Sequence, residues 1–267
     1  MSVHFSDEID WQRPWLNPFR ATGERLVQAQ DWRVELNALA EEKALRNHRG
    51  LPIRFVPQTS LPPGMAYEAF ISATGEVPTR ENLHDFFNAL VWLTFPKIKV
   101  QLNALQAREI ETVKRVENVP FAVRGKIRDA ATIFDENAAL LLVRDAEWLD
   151  ALRAHRWKEA FLGRRDRFWC DCQVVLFGHA LMEKLVAPYK AITAHAWPVI
   201  ANETFFGMTV QEQYAWQDTM IAMQVAQGLE TSHFTPLPVL GVPDWYEGQN
   251  NAFYADTAVF RPKRSAK

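Results

Sequence analysis

The chain has 267 residues, 48% of them hydrophobic, enough to bury a sizeable core in one large domain or two small ones. Its 30 basic and 32 acidic side chains leave a formal net charge of -2, which offers no electrostatic footprint for nucleic acid or an anionic membrane surface. No apolar run approaches about 18 residues, and Met1 to Pro14 is polar without an apolar secretory core, so neither a membrane-spanning helix nor a secretion signal is expected.

In chain order, Trp11 to Phe19 is rich in proline and aromatic residues and reads as an extended arm lying on the body. Asp31 to Arg46 has the spacing of a helix, with Val34, Leu36, Leu39 and Leu45 inward and Gly50 as a stop. Leu51 to Pro57 is a short strand between prolines, which favours an edge position. Tyr67 to Ile71 fits a strand or a helical turn equally, and Ser72 to Pro78 reads as a loop. Thr79 is the expected cap of the next helix.

The stretch from Glu81 to Pro96, which holds that helix, is the most informative of the chain. From Phe86 to Pro96 it carries no charge, and Asn88 stands alone among large apolar side chains. Leu83, Phe86, Phe87 and Leu90 repeat at i, i+3, i+4 and i+7 and predict a buried stripe. His84 and Asn88 lie one turn apart on its flank and can point at one object. Polar groups in such a wall must find partners or cost stability.

Pro96 ends this helix or opens a second one, over Lys97 to Val116. Ala131 to Phe134 and Ala138 to Val143 flank the polar trio Asp135-Glu136-Asn137 and read as a β-hairpin. Asp145 caps a helix over Ala146 to His155 with Trp148, Leu149 and Leu152 buried. Cys170 and Cys172 are poorly spaced for a disulfide; on a strand they would share a face as two small buried side chains. Such low cysteine usage suits a reducing compartment, and the expected location is cytoplasmic. Gln173 to Phe177 is a strand leading through Gly178-His179 into a helix from Ala180, and Thr209 to Gly228 is a further helix. The segment from Phe234 is too apolar for disorder and reads as an ordered tail. The expected fold is therefore α+β: a helix-rich domain over residues 31–230 with a small antiparallel sheet, an N-terminal arm over 1–30 packed on the body and a C-terminal tail over 231–267 packed on the surface.

The phosphate-binding templates Gly-x-x-x-x-Gly-Lys-Ser/Thr and Gly-x-Gly-x-x-Gly are absent, as are Gly-x-Ser-x-Gly and His-Glu-x-x-His. His155, beside Arg153 and Arg156 at a helix C-terminus, suits a surface role. His179, where a strand turns into a helix, either presents its ring to a ligand or is a satisfied structural histidine. His195 stands between small residues that admit either a close approach or tight packing. The adjacent His84-Asp85 pair invites comparison with metal-dependent phosphohydrolases of the HD type, with His48 and one of Asp129, Asp135 or Asp145 completing the set. The strand and proline-rich loop between His48 and His84 argue against that all-helical fold.

Several blocks together carry a resemblance: Leu51 to Val56, Asn82 to Trp92 with Phe95-Pro96, Phe134 to Ala138, Phe177 to Leu181, Pro238 to Pro243, and Phe253 to Thr257 with Phe260 to Pro262. Over nearly the whole chain these resemble a bacterial family labelled domain of unknown function 3025. The resemblance implies a bacterial cytoplasmic protein of one architecture and transfers no catalytic residues. The acyl-CoA synthetase label carried by some members finds no adenylate-binding loop in this sequence.

Two functions fit these residues. One is a hydrolase or transferase acting on a small polar or phosphorylated molecule, with His84, Asp85, His179 and His195 as catalytic or metal-binding groups and Asn88, Trp92, Asp135 and Asn137 contacting substrate. The metal and cofactor are left open. The other is a non-catalytic protein whose aromatic groove, with Trp92, Trp197 and Trp245, holds a metabolite or peptide. Either way the expected partner is a small molecule, not a nucleic acid or a membrane.

Overall fold

Strand β3 (Ala138–Val143) is a run of apolar residues buried from end to end, as a strand must be when both faces of its sheet are covered. The computed structural model describes residues 6–115 and 125–263. β3 lies between β4 (Cys172–Leu176), which runs antiparallel to it, and β5 (Thr193–Ile200), which runs parallel; β6 (Thr235–Pro238) extends the sheet antiparallel to β5. A second sheet pairs β1 (Arg54–Pro57) with β2 (Glu76–Thr79) in parallel. The fold is helix-rich α+β as expected, but its main sheet is mixed and its small sheet is parallel. The segment expected as a surface tail supplies β6 and buries Leu237, Val239, Leu240 and Val242.

Helices supply the remaining layers. Near the N-terminus α1 (Arg20–Gln28) follows a short turn at Pro14–Leu16, and the expected extended arm is instead folded, with Trp15, Leu16 and Phe19 buried. In α2 (Trp32–Glu42) Asp31 caps the first turn by accepting from Arg33 N and Val34 N. Leu36 and Leu39 are buried, whereas Val34 points outward at 66% exposure. The ambiguous segment at Tyr67 is helical: α3 (Tyr67–Thr74) ends at Gly75 with φ 78°, and the presumed loop beyond it is β2.

The uncharged stretch forms α4 (Leu83–Thr94). Its cap is Asn82, which accepts from Asp85 N at 2.8 Å; Thr79, the expected cap, is a buried residue of β2. Phe86, Phe87, Ala89, Leu90 and Val91 are fully buried, and each large side chain of that kind contributes about 1.5–3 kcal/mol of transfer free energy. Phe95, with φ −127° and ψ 57°, breaks the helix, and α5 (Pro96–Arg115) starts with proline at its first position. Val116, expected within that helix, lies outside the described residues, as do Met1 to Phe5 of the N-terminal arm and Arg264 to Lys267 of the tail.

The expected hairpin does not form. Ala131 to Asn137 complete α6 (Lys126–Asn137), which runs straight into β3. Ile127, Ala130, Ala131 and Phe134 follow the helical period, and the last three are fully buried. That burial outweighs the turn preference of the polar trio. Asp145 caps α7 (Ala146–Arg153) as expected. Cys170 falls in the short α8 (Phe168–Asp171) and is exposed, while Cys172 is buried in β4, so the two thiols do not share a strand face. The chain then forms α9 (His179–Lys184), α10 (Glu203–Phe206), α11 (Val210–Gln227) and α12 (Asn251–Tyr254). α4 packs on α9, and α6 packs on both α5 and α9, which brings the four helices to one place. Among the described residues no helix is long and apolar enough to cross a membrane.

Candidate metal centre

His84 enters this site in the first turn of α4, Glu136 in the last turn of α6 and His179 at the start of α9. The two rings meet edge to face, with centroids 4.4 Å apart and planes at 83°. His84 Nε2 and His179 Nε2 approach to 3.0 Å. Glu136 Oε2 stands 3.5 Å from His179 Nε2 and 4.0 Å from His84 Nε2. Among the described residues these three form the one group of His, Cys, Asp or Glu side chains able to hold a metal ion, with ligand atoms all within 4.8 Å of one another.

The outer nitrogens decide what the inner ones can do. His84 Nδ1 lies 2.9 Å from Glu183 Oε2, so it carries a proton that it donates to that carboxylate. His84 Nε2 is then a lone pair. His179 Nδ1 is buried, has no hydrogen-bond partner among the described residues, and faces Asp135 Oδ2 at 4.0 Å. A proton on that nitrogen makes His179 Nε2 a second lone pair. Burial lowers the His179 pKa to about 3, so the ring is neutral, as a metal ligand must be. Burial, together with the neighbouring Asp135 charge, pushes the Glu136 carboxyl above the usual carboxylate range. As they stand the two Nε2 atoms share a proton at 3.0 Å; with a cation in its place, two lone pairs and a carboxylate oxygen would converge on one point. Ligands roughly 2.0–2.2 Å from a zinc-like ion stand roughly 3.0–3.5 Å apart, close to the separations found here. The far sides of His84 and Glu136 are partly open to solvent, which leaves room for a further ligand.

Beneath the cluster is a buried polar chain. Lys99, 4% exposed, donates to Asp135 Oδ1 at 2.5 Å and to Asn88 Oδ1 at 2.8 Å. Asn88 Nδ2 donates to the Tyr67 hydroxyl at 3.2 Å. Burial pushes the Asp135 carboxyl up, but the Lys99 ammonium and His179 bring it below the usual range. The Lys99 ammonium also sits 5.4 Å from the centre of the Trp92 ring.

Of the residues singled out in the sequence, His84, His179, Asn88 and Asp135 are gathered here. Asp85 is buried beside them, but its oxygens accept from Arg80: Oδ2 from Arg80 N and Nε, Oδ1 from Nη2. Its place is therefore the entry of α4. Trp92 is 1% exposed and packs in the core under Lys99, which leaves it no face for substrate. His195, exposed on β5, meets Asn137 Nδ2 at 3.0 Å; these two form a separate pair beyond the cluster. His48 contacts Ser72 Oγ and Asp145 caps α7, so the HD-type ligand set is not assembled. The three tryptophans of the alternative groove have different surroundings. Trp197 donates to Gln224, whereas Trp245 joins Trp169 and Tyr214 around a cavity of about 660 Å³ beside β4 that neither Trp92 nor Trp197 lines.

Sequence reasoning missed Glu183 and Lys99, and it read Glu136 as turn chemistry because one turn alone supplies too few ligands for a cation. Glu183 carried a usable signal: it follows His179 by four residues, one helical turn, so both lie on one face of α9. Lys99 had none, being one lysine in a charged helix.

Fold and site together define a helix-rich α+β protein with a His–Glu–His cluster where α4, α6 and α9 meet. Residues 53–264 match the family described as "Protein of unknown function (DUF3025)", and the chain belongs to that family. No curated protein and no solved structure matches it.

Proposed function

We propose that the protein is a metal-dependent hydrolase of a small polar or phosphorylated ester, with His84, His179 and Glu136 holding a divalent transition ion. The observation that carries this reading is the meeting of two imidazole Nε2 atoms at 3.0 Å with a carboxylate oxygen beside both. Without a cation the two nitrogens need a shared proton at that distance; a cation would replace it, with Glu183 holding His84 from behind. Held by His84, His179 and Glu136, such an ion would supply a water of lowered pKa and a Lewis acid for the ester oxygen. The partial exposure of His84 and Glu136 gives water and substrate access, which favours hydrolysis over transfer.

The test is elemental analysis of protein purified without chelator, followed by stripping, reloading with zinc or manganese and assay against phosphomonoesters and carboxylic esters. About one ion per chain is expected, lost together with activity in His84→Ala and His179→Ala. Protein that binds no divalent ion at micromolar concentration overturns the reading. A second reading, non-catalytic binding of a small molecule, is favoured by the cavity at Trp169, Tyr214 and Trp245. Ligand binding lost in Trp245→Ala but kept in metal-stripped protein would support it.

A further inference from the structure

We propose that Asp135 is a positioning residue that holds His179 as the Nδ1–H tautomer when an ion is bound, with Lys99 holding Asp135 in place. The inference deepens the metal-centre reading and rests on it.

His179 is 4% exposed, and its Nδ1 has no hydrogen-bond partner among the described residues. The charged atom that faces this nitrogen is Asp135 Oδ2 at 4.0 Å, about 1 Å beyond an ordinary hydrogen bond. That gap is too short for an intervening water and is of the kind that closes when a ligand binds. A lone pair on Nδ1 would point at a carboxylate; a proton there is attracted by it. An imidazole with its proton on Nδ1 keeps Nε2 free, and Nε2 is the atom that meets His84 Nε2 and Glu136 Oε2. Metal-bound histidines commonly have their other nitrogen held by a carboxylate in this way. Glu183 does the same for His84, from the opposite side.

The ion pair beneath is otherwise hard to account for. Buried pairs of this kind are often no more stabilising than apolar side chains of the same volume. Yet Lys99 is anchored on both sides: by Asn88, itself bonded to Tyr67, and by Asp135 at 2.5 Å. One oxygen of Asp135 is thereby tied down, and the other is left turned toward His179. Asp135 also adjoins Glu136 in the last turn of α6, so the same anchor sets both the ligand and the group that orients its neighbour.

Two measurements test this. In zinc-loaded wild-type protein, nitrogen-15 NMR of the His179 ring should show the proton on Nδ1 and Nε2 as the ligand atom. In Asp135→Leu/Lys99→Met, which removes both charges at similar volume, affinity for cobalt(II) by calorimetry should fall about 10- to 100-fold. Asp135→Glu should recover most of that loss. A zinc-loaded His179 protonated on Nε2, or a double variant that binds cobalt(II) as tightly as wild type, overturns the positioning role and leaves the metal centre standing. Wild-type protein that binds no cobalt(II) overturns the metal centre and this proposal with it. Circular dichroism of the double variant ensures that a lost signal is not lost folding, and Asp135→Asn supplies a milder variant if it is.

Discussion

His84 Nδ1 and Glu183 Oε2 lie 2.9 Å apart across the packing of α4 on α9, joining residues 99 positions apart in the chain. This contact orients the His84 ring from behind and turns its other nitrogen toward His179. Glu183 is 42% exposed, so its removal opens no core cavity. Glu183→Ala is expected to weaken zinc binding about 10- to 100-fold while shifting stability by less than about 1 kcal/mol. Calorimetric titration and urea unfolding separate the two effects; unchanged zinc affinity would remove Glu183 from the site.

Lys99 offers the opposite contrast. Its ammonium is the cation bonded to a carboxylate with little solvent access, so Lys99→Met leaves Asp135 uncompensated. A loss of roughly 3–5 kcal/mol is expected. Adding Asp135→Leu should restore much of it, because the second change removes the stranded charge. Denaturant midpoints of the single and double variants check this, and equal midpoints would show that the pair is not coupled.

Gly178 is where β4 gives way to α9. A Cβ built on it would stand 2.5 Å from Asn137 N and 2.6 Å from Ala138 N, both backbone atoms with little room to move. Gly178→Ala should therefore cost about 1–3 kcal/mol and push α9, with His179, away from the end of α6. Metal affinity should fall at least about tenfold, as the ligands depend on that approach. A variant with wild-type stability and affinity would show that the junction yields.

Asp218 lies on α11 and caps α5 by accepting from Lys97 N and Ile98 N at 3.0 Å each. Burial raises its carboxyl to about 6 from 3.8. Between those values the folded chain holds a proton that the unfolded chain has released, so stability falls as pH rises from about 4 to 6. The loss amounts to no more than about 3 kcal/mol. Asp218→Asn cannot titrate and should lack this component. Urea midpoints of both proteins at pH 4 and pH 7.5 should diverge accordingly; a constant difference between them would dismiss it.

His195 stands apart from the ligands, on β5 with Asn137 and the edge of Phe234. His195→Ala should leave metal affinity within about twofold of wild type, since no ligand depends on it for orientation. A loss of tenfold or more would bring it into the site.

Elements whose signals are local were legible. Asp31 and Asp145 announce their helices, Thr209 opens α11 with a full capping box, and the apolar period of α4 marks a buried helix. The polar wall of that helix was legible too, because Asn88 in an uncharged run must have a partner. The trio Asp135-Glu136-Asn137 misled for a physical reason: its turn preference is worth less than the burial of Ala130, Ala131 and Phe134 on the preceding turns. Trp92 misled because a large ring near a polar wall can face either way. Packing places it in the core, with Lys99 of the next helix 5.4 Å from its ring.

What the chain by itself determined is a helix-rich α+β protein, its family, and a segment beginning near His84 whose few polar atoms had to be met from elsewhere. What the tertiary structure alone decided is who meets them. Glu136, His179, Glu183 and Lys99 come from three different helices, and no spacing within any one helix records the distance to another. Packing of apolar faces brings α4, α5, α6 and α9 together, and the charges on their flanks converge only as a consequence of that packing.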